Sequence, residues 1–142
     1  MDVERDKAER VAESVARNGT RCVALEVDVS DKRSVEAMTK RVASELGGVD
    51  VLVNNAAIYP GRPWTEIKEG EWDDVLAANL KGYFLCARAA FPYMRERGWG
   101  RLINVASITF FISFANLLDY VSSKGGSSAL REPWRERSGR RG

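Results

Sequence analysis

Two short, nearly continuous apolar runs, Val49 to Asn54 and Leu102 to Val105, constrain this chain most. A strand with one wet face alternates apolar and polar residues. A nearly unbroken apolar strand is covered on both faces, as in a parallel sheet. Parallel neighbours need a crossover long enough to hold a helix. Residues 71–97 supply one, with Pro92 placed to kink or interrupt it.

The rest of the chain repeats this grammar. Ala8, Val11, Ala12 and Val15 recur at helical spacing over residues 3–17, and Asn18-Gly19 is a stop signal. Cys22 to Val27 alternates and predicts a strand. Ser30 is placed to cap a helix over 31–46, which Gly47-Gly48 ends. Residues 56–70, with two prolines and two glycines, predict a loop, and 108–118 an apolar loop before a last helix at Tyr120. Helices alternating with strands imply an α/β fold, a Rossmann-like doubly wound parallel sheet joined by right-handed crossovers.

Composition removes whole classes of function. The 142 residues suit one domain, and 44% hydrophobic content suits a packed core. No apolar run is long enough to span a bilayer and no signal peptide is visible, so no membrane partner is expected. With no histidine in the chain, Ser-His-Asp, Cys-His and His-metal chemistry are excluded. Cys22 and Cys86 make neither a disulfide framework nor a metal set, which fits a reducing cytoplasm. Residues 125–142 carry five arginines and two glutamates, so the rest holds 17 basic and 18 acidic residues. The net charge of +2 is therefore a basic tail and not a nucleic-acid-binding face.

Chemistry gathers at Tyr120-Val121-Ser122-Ser123-Lys124. On a helix, Tyr120 and Lys124 lie one turn apart on one face. A free phenol titrates near ~10, too high for a proton shuttle at neutral pH. A nearby ammonium favours the phenolate. Ser107, at the end of the second apolar run, is placed to hydrogen-bond the same reacting oxygen. Such a group serves to give a proton to, or take one from, an alcohol or carbonyl oxygen.

Three further stretches precede it: Val51-Leu52-Val53-Asn54-Asn55-Ala56-Ala57, Asn79-Leu80-Lys81-Gly82, and Gly100-Arg101-Leu102-Ile103-Asn104-Val105-Ala106-Ser107. In this order and spacing, from about residue 2 to Gly126, the chain resembles the short-chain dehydrogenase/reductase family. The resemblance implies NAD(P)-dependent interconversion of a secondary alcohol and a ketone, including 3-oxoacyl thioesters. It makes Tyr120 the catalytic acid/base. Lys124 tunes it and holds the nicotinamide ribose, and Ser107 orients the substrate oxygen. Asn79 kinks the long helix and holds a proton-relaying water. Asp28 and Val29 match adenine-contacting positions. Asn55, Ala56 and Ala57 match a cofactor-lining Asn-Ala-Gly, with alanine in place of the glycine. Asp2 matches a ribose-binding acid that selects NAD over NADP. No metal is implied, and the family is usually a homodimer or homotetramer.

Plainer roles stand beside these. Asp2, Asp28 or Ser107 can cap helices, Asn54 and Asn55 can tie loops, and Asn79 can sit on a wet helix face. Tyr59, Pro60, Trp64, Phe110, Phe111 and Phe114 suggest an apolar substrate pocket or ordinary core packing.

The family pattern is incomplete here. Its Thr-Gly-x-x-x-Gly-x-Gly turn, which cradles the cofactor pyrophosphate, has no counterpart, and the first βαβ unit and the C-terminal strands are not found. This predicts a marginal or oligomer-dependent fold with an exposed sheet edge, and little or no activity. Alternatively, the chain is a non-catalytic module for oligomerisation or partner binding.

Residues 1–126 thus form a partial NAD(P)-binding domain, and 127–142 an aberrant basic tail. Restoring one G before a nucleotide string that encodes 127–142 spells Val-Ile-Gly-Leu-Thr-Arg-Ala-Leu-Ala-Arg-Glu-Val-Gly-Pro-Thr-Gly, which resembles the family's continuation. A frameshift is the expected origin, and a nucleic-acid-binding arm the alternative. Sequencing the gene across codon 126 decides: a sound reading frame with no family-like frame beside it sinks the frameshift.

Overall fold

The computed structural model describes residues 4–112 and 114–130. Helix α1 spans Arg5–Ala16, α2 Lys32–Leu46, α3 Glu69–Leu76, α4 Gly82–Glu96, α5 Thr109–Ile112 and α6 Leu118–Ala129. Strands β1 (Val51–Asn54) and β2 (Arg101–Asn104) pair in parallel, Val51 opposite Arg101 and Asn54 opposite Asn104. Both carboxyl ends therefore lie on one edge, where ligands of open α/β sheets bind.

One face of this pair is covered. Leu52 packs with Leu25, Val27, Val35, Met38, Leu85, Cys86, Ala90 and Met94, a core supplied largely by α2 and α4. The opposite face is bare: Val51 is 48%, Val53 52% and Ile103 49% exposed. The apolar runs are those of a sheet covered on both sides. Among the described residues only one side is.

Local chemistry sets most boundaries. The cap of α2 is Asp31, not Ser30: its carboxylate accepts from Arg33 N (3.3 Å) and Ser34 N (2.9 Å). A carboxylate also complements the positive end of the helix dipole, which a hydroxyl does not. Ser30 instead donates to Asp28 from both its backbone N (2.8 Å) and its Oγ (2.7 Å). Gly47 ends α2 in the left-handed region, at φ +88°.

The predicted strand over Cys22–Val27 is corrected. Leu25 and Val27 do point into the core, but only Glu26 makes a bridge and no ladder forms. In the doubly wound order 3-2-1-4-5-6 the third strand bonds to the second, not to the fourth. Among the described residues no strand stands in that second place, so alternation gives burial without pairing.

The predicted helix over 71–97 is broken, but not at Pro92. It comprises α3, a π turn over Ala77–Lys81, and α4. Pro92 lies inside α4 without interrupting it. Pro92 and Arg88 are exposed, so water can satisfy the Arg88 carbonyl that proline leaves unpaired. Gly82 follows the π turn, and a Cβ there would meet Val29 Cγ2 at 3.0 Å and Val29 O at 3.1 Å. Glycine thus lets the head of α4 rest against the turn at Val29.

Two loop predictions are partly right: residues 56–70 contain a 3-10 turn over Trp64–Glu66 and the start of α3, and 108–118 contain the single turn of α5. Helix α6 runs three residues past Gly126, with Ser127 buried. Asp2 and residues 131–142 lie outside the described residues.

Candidate active site

The site is built where β1, β2, the π turn and α6 converge. Asn54, at the end of β1, is buried and donates to Asn104 Oδ1 at 2.9 Å and to Tyr83 O at 3.3 Å. That amide locks the two strand ends to α4, the tying role open to it in the sequence. One residue beyond β2, the Val105 N–H donates to Asn54 O at 2.9 Å, which fixes the Val105 carbonyl.

Asn79 sits in the π turn and is fully buried. Its Oδ1 accepts from Ile58 N (2.8 Å). Its Nδ2 donates to Ile58 O (2.9 Å) and to Ser123 Oγ (3.0 Å). Ser123 Oγ in turn donates to Tyr120 O at 2.7 Å. This chain of bonds joins the loop after β1, the kinked helix and α6. Asn79 stands in a π turn that interrupts the α-helical pattern, and its burial overturns the wet-face alternative. Replacing Asn79 with Ala should lower stability by about 2–3 kcal/mol, since it strips partners from buried polar groups. Urea denaturation checks this, and an unchanged midpoint would refute the bracing role.

Lys124 lies one turn beyond Tyr120 and is 2% exposed. Its Nζ donates to Val105 O at 2.8 Å and to the Tyr83 hydroxyl at 2.9 Å. The ammonium stands 5.0 Å from the Tyr83 ring centre and 5.8 Å from that of Tyr120. Burial pushes the Lys124 ammonium below the ordinary lysine range. Burial also raises the Tyr83 phenol to about 12, and the neighbouring Tyr120 phenol adds to that rise. Tyr120 is half-buried, and its ring meets Tyr59 edge-on at 5.8 Å. Its hydroxyl has no hydrogen-bond partner among the described residues.

The other predicted residues are placed less tightly. Ser107 Oγ accepts from Thr109 N (3.3 Å) and Thr109 Oγ1 (2.8 Å), so it caps α5 and makes no bond to Tyr120. Asn55, Ala56 and Ala57 are exposed just past β1. Ala57 keeps a negative φ, since Asn116 is the single non-glycine residue with positive φ among those described. The methyl therefore costs no backbone strain. Asp28 is exposed, and its carboxyl is held below the usual range by the two Ser30 bonds. Its side chain builds a turn, and Val29 lies against Gly82.

At Tyr59, whose ring meets Tyr120, a groove of about 350 Å³ is lined by Ala57, Ile58, Pro60 and Val75 together with Asp74 and the paired Arg62 and Glu71 (2.6 Å). Tyr59, Trp64, Phe111 and Phe114 are more than half exposed, and Phe110 nearly half, so these aromatics are not core packing. Tyr83, Val105 and Ser123 complete the site, and the sequence reading missed all three. Tyr83 carries a visible signal: it falls one turn after Asn79 in a helix that the site already uses. No group of His, Cys, Asp or Glu among the described residues is arranged to hold a metal ion. No helix among them is long and apolar enough to cross a membrane.

A buried lysine one turn from a free phenol, at the carboxyl edge of a parallel pair, is the arrangement of a dehydrogenase of the tyrosine–lysine type. A family model for short chain dehydrogenases matches residues 1–142, and the chain belongs to that family. The match extends past Gly126, the last residue of the motif resemblance. The chain is 39% identical over 133 residues to the 3-oxoacyl-[acyl-carrier-protein] reductase FabG of Staphylococcus aureus (strain Mu50 / ATCC 700699), covering 90% of this chain and 54% of that protein. It is 34% identical over 129 residues to the 5-keto-D-gluconate 5-reductase of Escherichia coli K12, covering 91% and 51%. A crystal structure assigned to a short-chain alcohol dehydrogenase of Sinorhizobium meliloti 1021 superposes with a TM-score of 0.82 at 34% identity, over 87% of this chain and 49% of the other. The fold is accordingly a Rossmann-like α/β sheet. The chain spans about half the length of the curated relatives it matches.

Proposed function

We propose that these residues form the acid–base half of an NAD(P)-linked site that interconverts a secondary alcohol and a ketone. The observation that carries this is the buried Lys124 beside the unpartnered Tyr120 hydroxyl. A nicotinamide held here would supply the hydride, with both its electrons, that the carbonyl carbon takes up in reduction. Tyr120 gives its hydroxyl proton to the carbonyl oxygen as that oxygen gains charge. Lys124 stabilises the phenolate left behind and keeps one N–H beyond those given to Val105 and Tyr83. That N–H, with Asn55, Ala56 and Ala57 at the exposed strand end, fits the nicotinamide end of a dinucleotide. Asp28 and Val29 are assigned to the adenine and Asp2 to the ribose, which favours NAD. Ser107 reaches the substrate oxygen once its bond from Thr109 Oγ1 is exchanged.

The groove at Tyr59 has an apolar wall (Ala57, Ile58, Pro60, Val75) and a charged one (Arg62, Glu71, Asp74), and a 3-oxoacyl thioester, which carries both an apolar chain and polar groups, is the first substrate class to try. A homodimer or homotetramer in a reducing cytoplasm completes the proposal, with Cys22 and Cys86 both free. The bare sheet face favours a second reading, in which the 142-residue chain binds a partner and turns nothing over.

The test is a hybrid. Residues 4–126 are exchanged for the matching stretch of the Staphylococcus aureus reductase, which retains its own flanking segments. The hybrid should reduce a 3-oxoacyl thioester or simple ketone with NADH or NADPH, and turnover should depend on Tyr120. A folded, cofactor-binding hybrid inert toward every carbonyl offered would refute the proposal.

A further inference from the structure

Tyr83 belongs to no motif that the proposed chemistry uses, yet its hydroxyl sits against the catalytic ammonium. The residue is 2% exposed, on the first turn of α4. Its oxygen lies 2.9 Å from Lys124 Nζ and 3.3 Å from Val105 O, and Lys124 Nζ lies 2.8 Å from the same carbonyl. These three polar atoms close a triangle. An ammonium has only donors, so Tyr83 must accept from it, and the phenol hydrogen is left to reach Val105 O. Two of the three N–H groups of Lys124 are thereby committed.

We propose that Tyr83 is a positioning residue for the reaction: with the Val105 carbonyl it fixes the depth and direction of the Lys124 ammonium, leaving one N–H for the Tyr120 side. The inference rests on the proposed role of Tyr120 and Lys124.

Three features single out Tyr83. A buried ammonium needs acceptors, and no carboxylate among the described residues bonds to Lys124. The buried carboxylate of α6, Asp119, accepts from Tyr120 N through Oδ1 at 2.7 Å, and its Oδ2 has no partner among the described residues. The groups facing Lys124 are therefore the phenols of Tyr83 and Tyr120 and the Val105 carbonyl. Of the two phenols, only Tyr83 makes a hydrogen bond to Nζ. Finally, Asn54 holds the Tyr83 backbone through its carbonyl at 3.3 Å, and the phenol itself reaches Val105 O, just past β2, at 3.3 Å, so its oxygen has a fixed partner besides the lysine.

A phenol in this place acts on Lys124 without touching substrate. It stabilises the charged amine that burial disfavours, which keeps the ammonium available beside Tyr120.

The experiment follows the titration of Lys124 by NMR of lysine Cε and Nζ in the 142-residue protein, the signal assigned by its loss in Lys124→Met. Tyr83→Phe keeps the ring and removes the acceptor. Lys124 should then titrate lower than in the parent, by a wider interval than Tyr120→Phe produces. If Tyr83→Phe does not fold, 3-fluorotyrosine is incorporated throughout in a Tyr120→Phe background. The Tyr83 hydroxyl, now a poorer acceptor, should again move Lys124 down. A Lys124 titration that is unmoved by either change, or that moves more with Tyr120→Phe, would overturn the assignment. The readout needs no turnover, so failure of the carbonyl chemistry and failure of this inference are separate results.

Discussion

Tyr120→Phe in the hybrid should lower kcat by about 10²–10⁴-fold, or about 3–5 kcal/mol of transition-state stabilisation, with little change in KM. The size follows from what the hydroxyl does. Without it the carbonyl oxygen gains charge with no positioned proton donor, and water must serve. The small effect on KM follows from what the hydroxyl does not do. It holds no other group among the described residues, so its loss leaves the fold unbraced nowhere. Lys124 stays anchored by Tyr83 and Val105, and the Tyr120 ring keeps its edge-on contact with Tyr59. Steady-state kinetics with circular dichroism on the same sample checks both halves. A folded variant within about tenfold of the parent would show that another group delivers the proton.

The contrast with Asn79 sharpens this. Asn79 braces three segments through its buried amide, so its replacement should cost stability first and turnover only as a consequence. A site in which Tyr120→Phe acted through stability and Asn79→Ala through kcat alone would invert the two roles.

What could be read from the sequence was what local chemistry dictates. The apolar runs placed β1 and β2, and the Tyr120–Lys124 spacing survived as a one-turn pair on α6. Gly47 ended α2 where its conformational freedom predicted. What could not be read depended on neighbours distant in the chain. Whether Cys22–Val27 pairs is decided by which strand lies beside it, and nothing in its alternation carries that information. The π turn at Asn79 arises because a buried amide there can bond to Ile58 and Ser123, partners supplied by a loop and by another helix. Pro92 was the stronger local signal for a break, yet its outward position lets the helix continue. Tyr83 drew no role from the sequence because its partner, Lys124, is 41 residues away. Ser107 shows the converse: local capping chemistry at Thr109 satisfies a hydroxyl that the motif assigned to substrate.

The 142-residue chain alone should show no saturable NADH binding up to millimolar cofactor, whereas the hybrid should bind in the micromolar range. Fluorescence titration of monodisperse protein measures both. Between those affinities lie about 4 kcal/mol, the order expected for a pyrophosphate held by several backbone N–H groups at a helix N-terminus. Residues 4–54 offer three glycines, and each lies beyond the C-terminal end of a helix. Gly19 follows α1, with its N–H bonded to Ala16 O at 2.9 Å, while Gly47 and Gly48 follow α2. A helix C-terminus presents carbonyls and the negative end of the dipole, which repel a diphosphate. What remains at the nicotinamide end is one N–H of Lys124 and the exposed strand end at Asn55–Ala57; Asp28, Val29 and Asp2 are assigned to the adenosine end and bring no positive charge. The first set can orient a nicotinamide once it is bound, but together they offer the diphosphate no positive partner beyond Lys124 itself. Micromolar binding by the 142-residue chain would therefore mean that the diphosphate is held by groups outside this set. In that case the Arg62–Glu71 pair, whose guanidinium lines the groove at Tyr59, becomes the first to be mutated.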